Sequence, residues 1–216
     1  MKIAVFGTGS VGETLGSKLL ELGHEVKMGS RTATNEKAAA WVAKSGAKAS
    51  AGTFADAAKF GELIVNCTLG LGTIEAFKMA GEENCAGKTV IDISNPLDFS
   101  KGFPPTLFIS GADSLGEALQ RAVPKAKVVK ALNTMSCAIM VNPRQLPDSH
   151  HTFVAGNDEG ARTQVKGILA AFGWKADEIV DLGDITGARA TESYLPFWAR
   201  VYGSIKVGNF NVKIVR

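Results

Sequence analysis

The first twelve residues constrain the fold of this chain more than any other stretch. A short apolar run, Ile3-Ala4-Val5-Phe6, leads directly into Gly7, Gly9 and Gly12, which are spaced G-x-G-x-x-G, and apolar residues at helical spacing follow. The order strand, tight turn and helix is the one that places a dinucleotide pyrophosphate on the free N–H groups of a helix N-terminus. We therefore predict that Gly7 makes the turn, Gly9 lets the backbone approach the pyrophosphate, and Gly12 lets helix and strand pack closely.

The residues after the second predicted strand, at 25–28, indicate which dinucleotide binds. An Asp or Glu about 20 residues beyond the glycines would accept hydrogen bonds from a ribose hydroxyl and select NAD. That place holds Gly29-Ser30-Arg31-Thr32, with Lys37 about a turn further on. A guanidinium can bind a phosphate with two hydrogen bonds, and the hydroxyl groups of Ser30 and Thr32 can donate to it. The segment therefore predicts NADP.

Strand-like and helix-like segments alternate regularly over the rest of the first two thirds of the chain. A buried strand at 63–67 runs into the loop 68–73, a fifth strand at 88–93 ends in Ser94-Asn95-Pro96, and a sixth at 127–132 runs into residues 133–137. This alternation predicts an α/β fold with a doubly wound parallel sheet. Ligands of such sheets bind at the carboxyl ends of the strands, so Cys67, Thr68 and Leu69 are expected to face the cofactor.

The last third of the chain predicts a smaller unit. We place a cofactor-binding domain at 1–145 and a small C-terminal lobe at 146–216, joined by a linker at 142–147. Within the lobe we expect a strand at 151–156, a helix at 158–172, a strand at 178–182 and an edge strand at 210–214. The segment 188–205 predicts an aromatic-rich helix that Pro196 either kinks or begins. This helix is expected to line a substrate pocket or a homodimer interface.

Composition excludes several classes of protein. The 216 residues are 45% hydrophobic and 21% charged, as in a folded protein with a sizeable core. The net charge of +3 comes without a Lys/Arg block, so no nucleic-acid partner is expected. We expect neither a signal peptide nor a membrane span. Cys67, Cys85 and Cys137 lack metal-ligand spacing, which favours free thiols and a cytoplasmic location.

The sequence offers no obvious catalytic residue or metal ligand set. Cys67 and Cys137 have no evident paired base, and the adjacent His150 and His151 are expected to be a solvated pair in the linker. No Lys, Tyr or His stands out as a proton donor for carbonyl reduction. We therefore expect the chemistry to come from the cofactor, as hydride transfer to a flavin-like acceptor that needs little acid–base help.

Four motifs together resemble one protein family. The segments Gly7–Gly12, Gly29–Thr32, Asp92–Pro96 and Val129–Ser136 resemble those of the coenzyme F420-dependent NADP reductases, and they are similar to the cytosolic reductase domains of the six-transmembrane metalloreductases. The resemblance covers nearly the whole chain. It implies an NADP-binding Rossmann domain, a small C-terminal lobe, and a deazaflavin or flavin docked against the nicotinamide.

The resemblance also implies which residues contact the cofactor. Thr8, Ser10 and Val11 would hold the pyrophosphate; Ser30, Arg31 and Thr32 the 2′-phosphate; Thr68 and Leu69 the nicotinamide side; and Asn133, Met135 and Cys137 the ring and carboxamide. The full predicted set adds Gly7, Gly9, Gly12, Lys37, Cys67 and Asn95. Asn133 stands where F420 reductases proper can have His, and in this respect the chain resembles the metalloreductase-like branch.

Three functions stay open at this stage. The first is hydride transfer between NADP(H) and a small redox acceptor, coenzyme F420 or a flavin. The second is an NADP-dependent dehydrogenase or reductase of a small carbonyl metabolite, which would need a proton donor near the nicotinamide. The third is a non-catalytic redox sensor, which would bind NADPH tightly without turnover.

Overall fold

The computed structural model describes residues 1–215. Its main sheet has eight strands, most of them parallel, with helices on both faces, which confirms the predicted α/β, doubly wound architecture. Eight strands form this sheet: β1 (Lys2–Phe6), β2 (Glu25–Ser30), β3 (Ala49–Thr53), β4 (Leu63–Asn66), β5 (Thr89–Asp92), β8 (Lys127–Ala131), β9 (Thr152–Gly156) and β10 (Ile179–Asp181). Two further strands, β6 (Leu97–Asp98) and β7 (Thr106–Leu107), form a separate hairpin.

Ten α-helices connect or cover these strands within the described residues. They are α1 (Ser10–Glu21), α2 (Glu36–Ser45), α3 (Phe54–Phe60), α4 (Gly70–Ala80), α5 (Glu82–Cys85), α6 (Leu115–Ala122), α7 (Cys137–Val141), α8 (Glu159–Ala171), α9 (Ala188–Ser193) and α10 (Leu195–Ile205). Short 3-10 turns lie at Pro143–Gln145, Ala176–Glu178 and Ile185–Gly187.

The order of the strands creates a crevice beside β1. The sheet runs β3-β2-β1-β4-β5-β8-β9-β10, and the six strands from β3 to β8 in this order are parallel. The chain leaves β1 toward β2 on one side and later returns to β4 on the other. The connections after these two strands therefore diverge, and the gap between them at the carboxyl edge is the place where such sheets bind ligands.

Two apolar layers hold the sheet between its helices. On one face Leu15 and Leu19 of α1 pack with Trp41 of α2, and on the other the Phe6 ring lies 5.1 Å from the rings of both Phe54 and Phe77. Residues 3–6 of β1 are 0% exposed. A strand buried on both faces reads as a continuous apolar run, which is why β1 could be predicted from its composition.

The C-terminal third extends the same sheet. Strand β9 pairs antiparallel with β8, and β10 pairs parallel with β9 through the crossover helix α8. The sheet thus continues across residue 145, where we placed a domain boundary; that division stays a prediction. The aromatic segment forms two helices, α9 and α10, and Pro196 lies in the first turn of α10, one of the two expected arrangements.

Some local features differ from the predictions or add to them. Asn35 caps α2, its Oδ1 accepting the Ala38 N–H at 3.0 Å. No strand forms at 210–214. Several hydrogen bonds to the histidine pair tie this segment to the body of the protein, among them the His151 N–H to the Val212 carbonyl oxygen (2.9 Å) and the Ile214 N–H to Nδ1 of His151 (3.1 Å). The short elements α5, α7 and the β6–β7 hairpin were not predicted.

His150 is buried rather than solvated, which corrects the expectation for the histidine pair. Its Nε2 lies 3.0 Å from the Pro143 carbonyl oxygen, and its Nδ1 lies 2.7 Å from Nδ2 of Asn211. The ring meets Trp174 edge-on at 4.8 Å. A polar residue can be buried when each of its polar atoms has a partner, and these partners come from distant parts of the chain.

An ion pair joins α6 to α9. Arg189 donates from Nε to Oε2 of Glu117 at 2.8 Å, and the Ser114 hydroxyl donates to the same oxygen at 2.7 Å. The hydrogen bond from Arg189 lowers the pKa of the Glu117 carboxyl, and Ser114 adds to this effect against the opposing effect of burial. A lowered pKa in the folded state means that the pair stabilises the fold above the ordinary pKa of 4.5 and that this stabilisation is lost as the pH falls through the lowered value.

We predict that Glu117→Gln lowers the free energy of unfolding by about 1 kcal/mol at neutral pH, an amount limited by the partial exposure of Arg189. The loss should shrink as the pH falls through the lowered pKa of Glu117, because the wild-type carboxylate then becomes protonated as well. Urea unfolding at about pH 7 and at a series of pH values below 4.5 follows this change. Glu62→Gln, at an exposed position, is the control; a Glu117→Gln loss that does not change with pH would contradict the assignment.

Candidate functional site

The glycine turn after β1 has the geometry that each glycine was predicted to provide. Gly7 has φ +110°, and a Cβ atom there would lie 2.6 Å from the Cys67 carbonyl oxygen. A Cβ on Gly12 would lie 2.2 Å from the Gly7 carbonyl oxygen, so α1 can approach β1 only through a glycine. Gly9 is different: its Cβ would meet no atom within 4 Å, which leaves open space beside the backbone.

The N-terminus of α1 is suited to bind an anion. The helix has 12 residues, and Gly9 at its N-cap position supplies no side-chain hydrogen bond. The first N–H groups of a helix have no partner within the helix, and the helix dipole adds partial positive charge there. Together with the open space at Gly9, this arrangement would accept a phosphate group.

A cavity of about 650 Å³ starts at this turn and runs along the carboxyl edge of the sheet. It brings together most of the predicted cofactor contacts: Gly7, Thr8, Gly9, Ser10, Val11, Ser30, Arg31, Lys37, Cys67, Thr68 and Leu69. Other predicted contacts do not line it: Gly12, Thr32, Asn95, Asn133, Met135 and Cys137. The cavity therefore covers the glycine turn, the segment after β2 and the segment after β4.

The end of the cavity beside β2 carries positive charge. Neither Arg31 nor Lys37 forms an ion pair with any residue in the part of the chain that the structure describes, and both are exposed. The Ser30 hydroxyl donates to the Thr32 carbonyl oxygen at 2.6 Å and so shapes the turn that holds Arg31. Two free cations at one end of a cavity attract an anion of matching size.

Sequence reasoning missed one wall of this cavity. The wall consists of Asn35, Phe54, Leu71, Gly72, Glu75, Ala76 and Met79. Leu71 and Met79 are 70% and 41% exposed, unusual for large apolar side chains on one helix. With Glu75 they repeat at every fourth position of α4 and thus share a helix face. This four-residue spacing is visible in the sequence, but a helix that packs its apolar face on the core shows the same spacing, so it did not predict a cavity wall.

The remaining predicted contacts lie at the carboxyl ends of β5 and β8. The side-chain amide of Asn95 donates to the Asn133 carbonyl oxygen at 2.8 Å, and that of Asn133 donates to Oδ1 of Asn95 at 2.9 Å. Leu132, directly before Asn133, has φ +62°, a left-handed conformation that costs a branched residue about 1–3 kcal/mol. Such strain persists where the surrounding structure fixes the backbone, and here it sets the orientation of the chain at Asn133.

Met135 and Cys137 follow Asn133 at the same edge. Met135 is buried, and the Cys137 sulfur accepts a hydrogen bond from the Thr14 hydroxyl of α1 at 3.6 Å. This contact links the segment after β8 to the helix that begins at the glycine turn. The segment after β8 and the glycine turn therefore both lie against α1.

Cys67 is not poised to act as a nucleophile. Burial raises the pKa of its thiol far above the ordinary value, and the Asp92 carboxylate and Cys137 raise it further. A thiol with a raised pKa stays protonated at neutral pH, and it is the thiolate that attacks. Cys67 therefore contributes a wall to the cavity.

Residues 1–215 contain neither a metal-ligand cluster nor a membrane-spanning helix. These residues contain no group of three or more His, Cys, Asp or Glu side chains arranged to hold a metal ion. They also contain no helix that combines the length and apolar character needed to cross a bilayer.

The comparisons with known proteins agree with this geometry. The model of the family described as "NADP oxidoreductase coenzyme F420-dependent" matches residues 2–96, which include the glycine turn and Arg31. A protein of Arthrobacter sp. FB24, provisionally named an F420-dependent NADP-reductase, is 46% identical to this chain. Its crystal structure has a TM-score of 0.93 to the present one, covering 100% of both chains.

Two more distant proteins are also similar to this chain. The metalloreductase STEAP3 of Rattus norvegicus is 25% identical over 202 residues, which make up 91% of this chain and 38% of STEAP3, so this chain spans well under half of that relative. A reductive aminase of Aspergillus terreus in complex with NADPH is 20% identical, with a TM-score of 0.64 over 95% of this chain and 62% of the aminase. At that identity the likeness shows the fold alone.

The two glycines Gly12 and Gly9 give a matched pair of substitutions. We predict that Gly12→Ala lowers the free energy of unfolding by about 3 kcal/mol or more, because its Cβ would collide with a backbone oxygen that cannot move independently. Gly9→Ala should cost less than about 1 kcal/mol, because its Cβ enters open space. Urea unfolding of both variants measures the difference, and equal losses would show that the close approach at Gly12 is not needed.

Proposed function

This chain belongs to the family of coenzyme F420-dependent NADP oxidoreductases, and we propose that it transfers a hydride between NADP(H) and the deazaflavin ring of F420 or a flavin. NADP-dependent oxidoreduction is the activity of the family; the acceptor is our proposal. The observation that supports NADP binding is the cavity that joins the glycine turn to the two cations Arg31 and Lys37.

The shape of the cavity suggests how NADP lies in it. The pyrophosphate would bind the N–H groups of Ser10 and Val11, where the helix dipole and the space at Gly9 favour it. The 2′-phosphate would lie against Arg31 and Lys37 at the β2 end. The adenine ring, which is flat and largely apolar, would pack on the wall formed by Leu71 and Met79 of α4.

The nicotinamide would extend from Thr68 toward the Asn95–Asn133 amide pair. Thr68 has a fixed orientation because its hydroxyl donates to Oδ1 of Asn66 at 2.7 Å and lies 2.9 Å from the Thr73 hydroxyl. The two asparagines offer amide donors and acceptors of the kind that bind a carboxamide. We propose that Met135 and Cys137 complete this end of the site.

The bound coenzyme supplies the hydride chemistry, and the chain's own residues bind, orient and exclude water. The protonated Cys67 thiol and the buried Met135 would present apolar surface to the reacting ring. A deazaflavin or flavin accepts a hydride at a ring atom and needs little help from a general acid. This requirement fits a cavity whose lining, among the described residues, includes no His or Tyr and has its one lysine, Lys37, at the end beside β2.

The cysteines bear on the cellular location of the protein. All three cysteines are unpaired, as expected in a reducing compartment, and we propose a cytoplasmic location.

A second proposal concerns the surface of α10. On α10, Phe197 and Ile205 are 58% and 51% exposed. We propose that this apolar surface is the interface of a homodimer, the most common symmetric assembly.

The test of the acceptor mixes purified protein with NADPH and oxidised F420 and follows both absorbances at steady state. We expect NADPH and oxidised F420 to disappear together at equal rates. Loss of NADPH with FMN or FAD but not with F420 would identify a flavin as acceptor. NADPH binding without turnover on any acceptor would support a redox sensor and overturn the proposal.

We predict that Arg31→Ala weakens NADPH binding by about tenfold to a hundredfold and changes NADH binding by less than about twofold. A guanidinium paired with a phosphate contributes about 1.5–3 kcal/mol, and NADH has no 2′-phosphate. Fluorescence titration with both nucleotides measures the two affinities, with Arg200→Ala as a control at an exposed position elsewhere. An equal loss for the two nucleotides would contradict the assignment.

A further inference from the structure

A buried charged cluster lies beneath the Asn95–Asn133 pair. Lys130, on β8, has a side chain that is 0% exposed, and its Nζ lies 2.6 Å from Oδ2 of Asp92 and 2.8 Å from Oε1 of Glu192. The ammonium also donates to the Ser94 carbonyl oxygen at 2.7 Å. An ammonium has three N–H donors, so three acceptors use its full hydrogen-bonding capacity.

The two carboxylates of the cluster are also tied to the backbone. Oδ1 of Asp92 accepts from the Ser94 N–H at 3.1 Å, from the Ser94 hydroxyl at 2.7 Å and from the amide of Asn66 at 2.8 Å. Glu192 of α9 accepts the N–H groups of Leu115 and Gly116, at 2.8 and 2.9 Å, at the start of α6. The cluster therefore connects the ends of β4, β5 and β8 with two helices.

The charge of Lys130 is maintained inside the protein. Burial lowers the pKa of its ammonium, but Asp92 and Glu192 raise it by more, so that its pKa lies above the ordinary value. The space around it is tight: a Cβ on Gly116 would lie 3.1 Å from Cε of Lys130. A buried charge network is costly to form, and an aliphatic core could fill this space at lower cost. Its retention here points to a role beyond filling the core.

Two short connections lead from the cluster to the site. Asn66, which donates to Asp92, accepts the hydroxyl of Thr68, and Thr68 lines the cavity. Ser94, bonded by both Lys130 and Asp92, directly precedes Asn95. The Asn95 amide in turn bonds the backbone of Asn133 at the end of the strand that carries Lys130.

We propose that Lys130 is a positioning residue for the nicotinamide end of the site. Its bonds to Ser94 and Asp92 fix the turn after β5 and thereby set the Asn95–Asn133 pair at the orientation that the cofactor needs. Lys130 does not itself touch the cofactor. The inference rests on the proposed function, because that function makes the amide pair part of a cofactor site. The effect of Lys130 on the orientation of Asn95 and Asn133 can be tested without assuming that function.

The test compares Lys130→Met with Lys127→Met in the full-length chain. Lys127 lies on the same strand, but its side chain is 44% exposed and pairs with Asp158 at the surface, so it controls for the loss of a lysine from β8. Both variants are titrated with NADPH and with 2′,5′-ADP, which has the adenosine half and 2′-phosphate but no nicotinamide. We expect Lys130→Met to bind 2′,5′-ADP within about twofold of wild type and NADPH about tenfold more weakly.

A second measurement needs no ligand. In ¹⁵N–¹H spectra the side-chain amides of Asn95 and Asn133 should exchange slowly with solvent in wild type and in Lys127→Met, because both amides are hydrogen-bonded. Lys130→Met should shift both signals and speed their exchange. If a folded Lys130→Met protein keeps these signals and its affinity for NADPH, the positioning role is wrong.

Lys130→Met leaves two buried carboxylates without their cation, so thermal unfolding is measured first. Glu192→Gln is the second variant, since it keeps the side-chain size and leaves the Lys130–Asp92 pair; a smaller change in the same direction is expected. Equal loss of affinity for NADPH and 2′,5′-ADP would show that the cluster only supports the fold, and would overturn the inference. Wild-type protein that binds neither nucleotide would overturn the proposed function, and the amide signals would still decide the role of Lys130.

Discussion

The site depends on the close approach of α1 to the end of β1. The Cβ that Gly12 lacks would lie 2.2 Å from the Gly7 carbonyl oxygen, so only glycine lets the helix begin where it does. Strand β1 is itself fixed, because apolar layers pack on both of its faces. The helix N-terminus is therefore held at the open space beside Gly9, and this fixed position is what would let its first N–H groups bind the pyrophosphate that we propose there.

Charge is distributed along the carboxyl edge of the sheet in two ways. At the β2 end Arg31 and Lys37 are exposed and unpaired with any residue among those described, a condition that suits recognition of a phosphate from solution. At the β8 end the lysine is fully buried and bonded to two carboxylates and a carbonyl oxygen. In our proposal the first arrangement selects the ligand, and the second holds the backbone that would orient the ligand's reactive end.

The features that could be predicted from the sequence are those fixed by residues close together along the chain. The roles of Gly7, Gly9 and Gly12 depend on backbone geometry within one turn, so their spacing was informative and the structure has the expected geometry. Arg31 could be placed because its distance from the glycines fixes its position at the end of β2. The alternation of strands and helices was likewise sufficient for the doubly wound sheet.

The features that could not be predicted depend on contacts between distant segments. Glu192 gave no signal, because its partners Lys130 and Gly116 lie on other elements. His150 was misjudged for the same reason, since its polarity suggested solvent while Pro143 and Asn211 supply its partners. Leu71 and Met79 line the cavity with spacing that a core-facing helix would also show. Tertiary context decided each of these cases.

The most direct test of the account is a crystal structure of the protein with NADP⁺ bound. The account predicts the pyrophosphate on the N–H groups at the start of α1, the 2′-phosphate on Arg31, and the nicotinamide carboxamide within hydrogen-bonding distance of Asn95 or Asn133. A nucleotide whose phosphates lie away from the glycine turn, or whose nicotinamide points away from the amide pair, would contradict it.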